Sequence, residues 1–521
     1  MSEPIVADVL RGIIHQADTG PERPAVKDLD RELNYAQLCE EAARLGCGLV
    51  TRGVNEGDRV ALHLPNSVDF VTAAVACLWI GAIFVPLAVT DPEARRATIV
   101  ADCAPSVVIT SDPEEDSTVL PSFGPTPVVP ISSLRLEGGE ALEPIPAWPR
   151  EAYAIYTSGT TGTPKGVLIS TGAFAAAVQA AVLTVGLDRT TRALCVSPFY
   201  FDGSFATLFP TLYSGGAVVI RPREALLFPR TFFNAVLKEE ITYTGFSPSY
   251  LRLLLANNQM AKLADSTLQV MALGGEASSV ADLRAVWAAV PKVRVFNRYG
   301  PTETTIAVTH VELTPEMTAD GIVPIGEPHP DVSFHLVGED GAVIDGEGRT
   351  GELYIGGAQL MSGYWGAPAL TDEVLRTDVV PGELVYRTGD LVYRDGNGRY
   401  VYVDRADRVI KRSGVRISLV ELSEAMRSLA QVSAAACVTF DHDGELGIVA
   451  FVVTEGPVTA LELQQAARER LPDTMLPNRV ELVDELPLTA SSKLDERLLL
   501  SEAGLLPLRA ATAPSQAVSA R

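Results

Sequence analysis

The sequence predicts a layered α/β protein of more than one domain, and three observations carry that prediction. Its 521 residues exceed what a single hydrophobic core organises. Strand-like apolar runs alternate with helical patterns along most of the chain, the order that builds βα layers. Several of those runs are continuously apolar, as strands covered on both faces should be. With 47% hydrophobic and 21% charged residues, the balance is globular and not disordered.

The elements follow in order. Residues 59–64 (Arg-Val-Ala-Leu-His-Leu) read as a short apolar strand, Ser67 to Ile80 as an amphipathic or buried helix and Gly81 to Leu87 as a returning strand. The stretch from Phe70 to Leu87 is the most apolar of the chain. It is broken by Gly81 and Pro86 and is shorter than a bilayer needs, so it reads as core and not as a membrane span. Further strands are predicted at 193–197, 217–220, 270–273 and 293–297. From Glu339 to Asp404, short β-like segments punctuated by glycine (351–355, 391–393, 400–403) predict a small antiparallel, barrel-like sheet. Beyond it come a charged stretch, a helix from about Leu419, an apolar strand at 446–453 and a helix at 460–471, together a smaller α+β domain. The expected division is 1–405 as a large core, 406–505 as a small mobile domain, and 506–521 as a disordered tail rich in Ala, Ser and Pro.

Charge and cysteine usage exclude several functions. A net charge of −23 repels nucleic-acid backbones and anionic membrane surfaces. The six cysteines show no C-x-x-C or Cys/His ligand spacing and read as reduced core residues of a cytoplasmic protein. Met1-Ser2-Glu3-Pro4 lacks the basic start of a signal peptide.

Chemistry concentrates in a few strings. Thr157-Ser158-Gly159-Thr160-Thr161-Gly162-Thr163-Pro164-Lys165-Gly166 is rich in glycine and hydroxyls, holds one lysine and follows a strand-like entry. Glycines let backbone N–H groups approach a polyphosphate, hydroxyls add donors and the lysine adds charge. The spacing is not that of a P-loop NTPase. Asn297-Arg298-Tyr299-Gly300-Pro301-Thr302-Glu303 places a ring, a hydroxyl and a carboxylate at a strand end, where α/β folds bind ligands. A carboxylate beside a triphosphate suits Mg²⁺, which takes few protein carboxylates plus phosphate oxygens. Tyr386-Arg387-Thr388-Gly389-Asp390-Leu391 adds a second acid beside a glycine, read as a tight turn.

Taken together these strings resemble the adenylate-forming superfamily, which joins acyl-CoA synthetases, luciferase-like enzymes and peptide-synthetase adenylation domains. The resemblance runs from Leu33-Asn34-Tyr35 to Lys493 and includes Gly351-Glu352-Leu353-Tyr354-Ile355 and Ser362-Gly363-Tyr364. It implies ATP and Mg²⁺ as cofactors, with the Thr157–Lys165 loop on the phosphates and Gly275 and Glu276 at the adenine. Asn297 and Tyr299 also fall in the nucleotide site, and Asp390 binds the ribose with Arg405 nearby. It gives Thr302 and Glu303 catalytic roles, Glu303 as the metal carboxylate, and makes Asp407 the hinge of a rotating small domain. Lys493 becomes the catalytic lysine that neutralises charge at the α-phosphate. The usual Asn-Gly before that lysine is Ser491-Ser492, and 411–421 departs from the pattern at several positions.

Phe201-Asp202-Gly203-Ser204 points to the amino-acid-activating branch, in which an acid at the Asp202 position binds the substrate ammonium. The remaining pocket positions carried over are Gly203, Ala206, Gly245, Ala272, Gly274, Arg298, Ile306 and Ala307, nearly all small. Arg298 is the one charge among those eight. A buried arginine should meet a carboxylate or another acceptor, so an acidic or β-amino substrate with a second carboxylate is expected. If Arg298 turned to a protein acid, a small neutral amino acid would fit. No condensation-type or carrier-type motif occurs, so a freestanding enzyme loading the phosphopantetheine of a discrete carrier protein is expected. An acyl- or aryl-CoA ligase, or a non-catalytic binding protein on the same fold, are the alternatives.

Overall fold

The computed structural model describes residues 8–507 apart from 92, 113–122, 138–141, 145–150, 159–163, 407–408, 413–414, 443–444, 469–470, 472–475 and 490–493. Of the expected site residues, Gly159, Thr160, Thr161, Gly162, Asp407 and Lys493 lie outside the described set, as does the tail from 508. The chain divides into one unit of residues 1–388 with 393–402 and a second of 389–392 with 403–521.

Two large sheets organise the first unit. One has eight strands in the order Thr309–Leu313, Arg294–Tyr299, Val270–Gly274, Tyr243–Phe246, Arg192–Cys195, Ala217–Ile220, Pro24–Lys27 and Glu32–Asn34. Its interior pairs are parallel and both edge strands are antiparallel. The inner strand Val270–Gly274 is buried on both faces from Val270 to Leu273, which is why it reads as an unbroken apolar run. The other sheet has seven strands, in the order Gly363–Tyr364, Pro164–Ser170, Glu151–Ser158, Ile83–Pro86, Arg59–His63, Val107–Thr110 and Val128–Pro130.

Helices join the two sheets. Val68–Trp79 begins at Ser67, whose hydroxyl accepts from the Phe70 N–H, and all its residues except Asp69 are buried. It is followed by the strand Ile83–Pro86, so the apolar segment is core, and no described helix is long and apolar enough to cross a membrane. Asp202–Tyr213 is buried along nearly its whole length. Its Phe205 and Phe209 form with Phe84, Tyr153 and Phe174 a cluster of five rings in eight edge-on or tilted pairs at centroid distances of 4.8 to 6.5 Å. Such pairs add about 0.5–1.5 kcal/mol each beyond area burial, which fixes this helix as a rigid platform.

A third sheet runs Val332–Val337, Gly351–Gly357, Val385–Arg394 and Leu375–Arg376, with Tyr400–Arg405 paired to Val385–Arg394. It stays open. The barrel-like closure expected from the glycine-punctuated segments does not form among the described residues. The sheet's end strands, Val332–Val337 and Leu375–Arg376, pair with Gly351–Gly357 and Val385–Arg394 and not with each other. The string around Asp390 is likewise part of a strand and not a tight turn. Gly389 takes φ +75° within it, a kink that only glycine accepts without strain.

The second unit holds the hairpin Val409–Arg412 with Val415–Ser418 and a three-stranded sheet of Val432–His442, Glu445–Thr454 and Arg479–Leu482. Helices Leu419–Arg427 and Ala460–Arg468 supply Leu422, Met426 and Leu463 to its core. The strand Val432–His442 was invisible to periodicity because its centre, Ala434-Ala435-Ala436, consists of helix formers, and strand pairing overrides that propensity. All six cysteines are free, and burial pushes the Cys39, Cys195 and Cys437 thiols up to about 12.

Candidate active site

The phosphate loop is entered and left by two antiparallel strands that place Thr157 opposite Lys165. Thr157 Oγ1 is buried, with no hydrogen-bond partner among the described residues. Lys165 Nζ donates to Tyr364 Oη at 2.7 Å and lies 4.1 Å from the centre of that ring. Tyr364 Oη in turn donates to Glu303 Oε1 at 2.8 Å, and Lys165 Nζ is 3.4 Å from the same oxygen. Three residues from distant parts of the chain thus form one charged cluster. Tyr364, quoted in a motif but given no role by the sequence, is its hub.

Glu303 is buried in a short 3₁₀ turn, Thr302–Thr304, that follows strand Arg294–Tyr299. The next two residues, Thr305 and Ile306, have φ of +58° and +72°, a costly conformation for β-branched side chains. Gln359 holds them there. Its side-chain NH₂ donates to the Ala307 carbonyl at 2.7 Å, its backbone carbonyl accepts from Thr305 Oγ1 at 2.7 Å, and Met361 N–H donates to the Glu303 carbonyl. The result is a buried carboxylate whose Oε1 is anchored by Tyr364 and Lys165. That donor set fits a magnesium completed by phosphate oxygens, which needs only one or two carboxylates. Among the described residues no cluster of three or more His, Cys, Asp or Glu makes a metal cage.

The other expected nucleotide contacts are placed less evenly. Gly275 takes φ +85° just after strand Val270–Gly274, and Glu276 accepts from the backbone N–H and hydroxyl of Ser249. The Asn297 amide donates to the Pro324 carbonyl at 2.9 Å from a buried position. Tyr299 meets Phe334 edge-on and Tyr402 at a tilt. In the second unit Arg405 Nη1 lies 3.7 Å from Asp390 Oδ1, and the kink at Gly389 brings its Cα alongside the same guanidinium.

The acid pocket lies between the eight-stranded sheet and its covering helices. Asp202 is buried in the first turn of its helix, where the dipole favours an anion. The N-cap position is Phe201, so Asp202 is not serving as the cap. Its charge is close enough to help burial raise the Tyr153 phenol well above its ordinary range. Ala206 and Pro210 continue the same helix face and line a small cavity. Ile306, Ala307 and His310 from the strained turn and the strand after it line that cavity too, with Ala177, Val178 and Ala181 of helix Thr171–Val185. Gly203 faces open space, and Ala272 is fully buried in the apolar cluster with Tyr243 and Phe296.

Arg298 is 7% exposed. Its side chain crosses the sheet over Gly274 and reaches Gly245: a Cβ on Gly245 would lie 2.9 Å from Nη2, and one on Gly274 3.3 Å from Nε. The space opened by these two glycines is therefore occupied by the arginine itself. Among the described residues it forms no ion pair, and Nη1 has no hydrogen-bond partner. The Tyr243 phenol, raised by burial, is partly relieved by this charge and by the Thr207 hydroxyl.

His310, His329 and Gln359 escaped the sequence reading. The available signal was slight: His310 is one of only six histidines and sits in the otherwise β-branched run Val308 to Val311.

The model "AMP-binding enzyme" matches residues 13–365, and "AMP-binding enzyme C-terminal domain" matches 421–493. The chain is 33% identical over 515 residues to the dimodular nonribosomal peptide synthase of Bacillus subtilis (strain 168), covering 93% of this chain but only 21% of that protein. It spans between 8% and 44% of the length of several other peptide synthetases that it matches. It is 33% identical over 501 residues to syringomycin synthase SyrB1 of Pseudomonas syringae pv. syringae, covering 93% of this chain and 80% of that protein. Among solved structures, a holo four-domain nonribosomal peptide synthetase, AB3403, bound to AMP and glycine superimposes with a TM-score of 0.81 at 26% identity. That match covers 94% of this chain and 36% of the other. A buried carboxylate tied to the loop lysine, two matching family models and a relative aligned along most of both lengths agree: the chain belongs to the AMP-binding, adenylate-forming enzyme family.

Proposed function

We propose that this enzyme activates an amino acid with ATP and then passes it to the phosphopantetheine thiol of a separate carrier protein. In the first step a substrate carboxylate oxygen attacks the α-phosphorus, the bond to pyrophosphate breaks, and aminoacyl-AMP forms. In the second the thiol attacks the acyl carbon and AMP leaves. Bound Mg²⁺ would neutralise phosphate charge beside Glu303. Lys165 is poised to exchange Tyr364 and Glu303 for a phosphate oxygen, since all three are held within one hydrogen-bonded cluster. Asp390 accepts the ribose hydroxyls, and Lys493 offsets charge at the reacting oxygen until Asp407 swings the small domain to admit the thiol.

The observation that carries the amino-acid reading is Asp202. A buried carboxylate sits four residues before Ala206 on the same helix, and Ala206 lines a small cavity with Ala177, Ala181 and Ala307. An ammonium group is the natural partner for that carboxylate. The glycine-bound relative supports this reading. Arg298 adds that the substrate side chain carries an acceptor, either the carboxylate of an acidic or β-amino acid or a neutral polar group.

ATP–pyrophosphate exchange over the amino acids and β-amino acids tests the proposal, with fatty and aryl acids plus CoA as the comparison. Exchange with amino acids alone is expected. CoA-dependent AMP formation from an aryl or fatty acid, with no amino acid active, would replace it with a CoA ligase.

A further inference from the structure

A chain of three side chains ends in the acid pocket. Gln359 is 1% exposed, and its NH₂ faces the carbonyls of Thr304, Thr305 and Ala307 at 3.4, 3.3 and 2.7 Å. Turning the amide over would set its oxygen against three carbonyl oxygens, so the orientation is fixed. Gln359 Oε1 therefore accepts, and His329 Nδ1, 2.8 Å away, must donate to it. A neutral His329 then has only a lone pair on Nε2. His310 Nδ1, 2.8 Å from that Nε2, must in turn carry its hydrogen. The rings are nearly parallel, at 10°. What remains is the Nε2 of His310, a lone pair. It is buried with no hydrogen-bond partner among the described residues, on a residue 7% exposed that lines the cavity with Ala206, Ile306 and Ala307.

Neutrality of both rings is what the surroundings favour. Burial is the main cause holding both His310 and His329 below the usual histidine range, and for His310 the neighbouring His329 and the Arg298 charge act in the same direction. His310 and Arg298 stand directly opposite each other on paired strands and so face the same side of the sheet. One offers an acceptor, the other a donor.

We propose that His310 is a specificity-determining residue whose Nε2 accepts a hydrogen bond from the substrate side chain. The pocket then selects a side chain that ends in both a donor and an acceptor, a primary carboxamide, over an apolar one of the same shape. The inference rests on the amino-acid reading above and narrows the acceptor that Arg298 requires. A carboxamide can give its oxygen to Arg298 and its NH₂ to His310. A carboxylate satisfies the charge of Arg298 but brings lone pairs against a lone pair, and is admitted only if His310 gains a proton.

Two measurements test this. In ligand-free protein labelled with ¹⁵N-histidine, two-bond proton–nitrogen correlations should show His310 and His329 as neutral Nδ1–H tautomers at pH 7, assigned by His310→Leu and His329→Leu. A proton on His310 Nε2 overturns the proposal. In ATP–pyrophosphate exchange, asparagine or glutamine should exceed the matched leucine or methionine in kcat/KM by about ten- to a hundredfold, the range for leaving a buried polar group unpaired. His310→Leu should shrink that ratio at least tenfold. Equal use of amide and apolar isosteres, or a preference for aspartate or glutamate with His310 protonated, overturns it. If no amino acid supports exchange, the amino-acid reading itself fails, and the tautomer measurement still decides what His310 presents to the pocket.

Discussion

Replacing Arg298 with methionine is expected to make the protein more stable and the amino-acid step worse. The guanidinium is buried without an ion pair among the described residues, and Nη1 is unsatisfied. A buried unsatisfied donor costs about 1–3 kcal/mol, and methionine keeps most of the side-chain length and volume without it. For a first unit of roughly 400 residues, unfolding entropy near 2.1 cal/mol/K per residue converts that gain to a rise in Tm of about 1–4 °C. The same deletion removes a charged hydrogen bond to the substrate, so kcat/KM for the amino acid should fall about ten- to a hundredfold while KM for ATP stays put. Thermal unfolding without ligands and ATP–pyrophosphate exchange at varied amino acid and varied ATP separate the two effects. A methionine variant that is less stable yet activates its amino acid normally would refute the reasoning, because Arg298 would then be a strut of the sheet and not a substrate contact.

Four further outcomes follow from the same geometry. Tyr364→Phe keeps the ring under Lys165 but removes the hydroxyl between Lys165 and Glu303, and should lower kcat/KM for ATP about tenfold with little change for the amino acid. Gly245→Ala puts a Cβ 2.8 Å from Thr207 Oγ1 and 2.9 Å from Arg298 Nη2, an overpacking of about 1–3 kcal/mol. Arg298→Ala should partly relieve it in a double-mutant cycle, and strict additivity would count against the contact. Lys493→Ala should abolish pyrophosphate exchange while sparing thioester formation from supplied aminoacyl-AMP; equal loss of both steps would contradict the division of labour. Stability should decline from pH 7 to pH 5. Burial first, and then Arg96, lowers His63 to about 4, so the unfolded chain takes up a proton below about 6.5 that the folded chain refuses until near 4. A flat Tm across that range would show that this histidine is not held neutral.

Much of the architecture was legible locally. Strands 217–220 and 270–273 announced themselves because inner strands of a parallel sheet are apolar throughout, and the helix predicted from Ser67 forms at Val68–Trp79. The Val432–His442 strand and the openness of the third sheet were not legible, since pairing partners far along the chain decide both. The charged loop, Asp202 and Glu303 could be singled out because their residue types are unusual where they stand. The sequence by itself thus determined that the chain is a layered α/β enzyme of the adenylate-forming kind, through strings whose chemistry is contained in ten residues or fewer. Only the tertiary structure decided that Tyr364 bridges Lys165 to Glu303, that Arg298 fills the space left by Gly245 and Gly274, and that Gln359 sets the polarity of His310. These are relations between residues up to 199 positions apart, and hydrogen-bond direction or burial exists only once folding has brought the partners within a few ångströms.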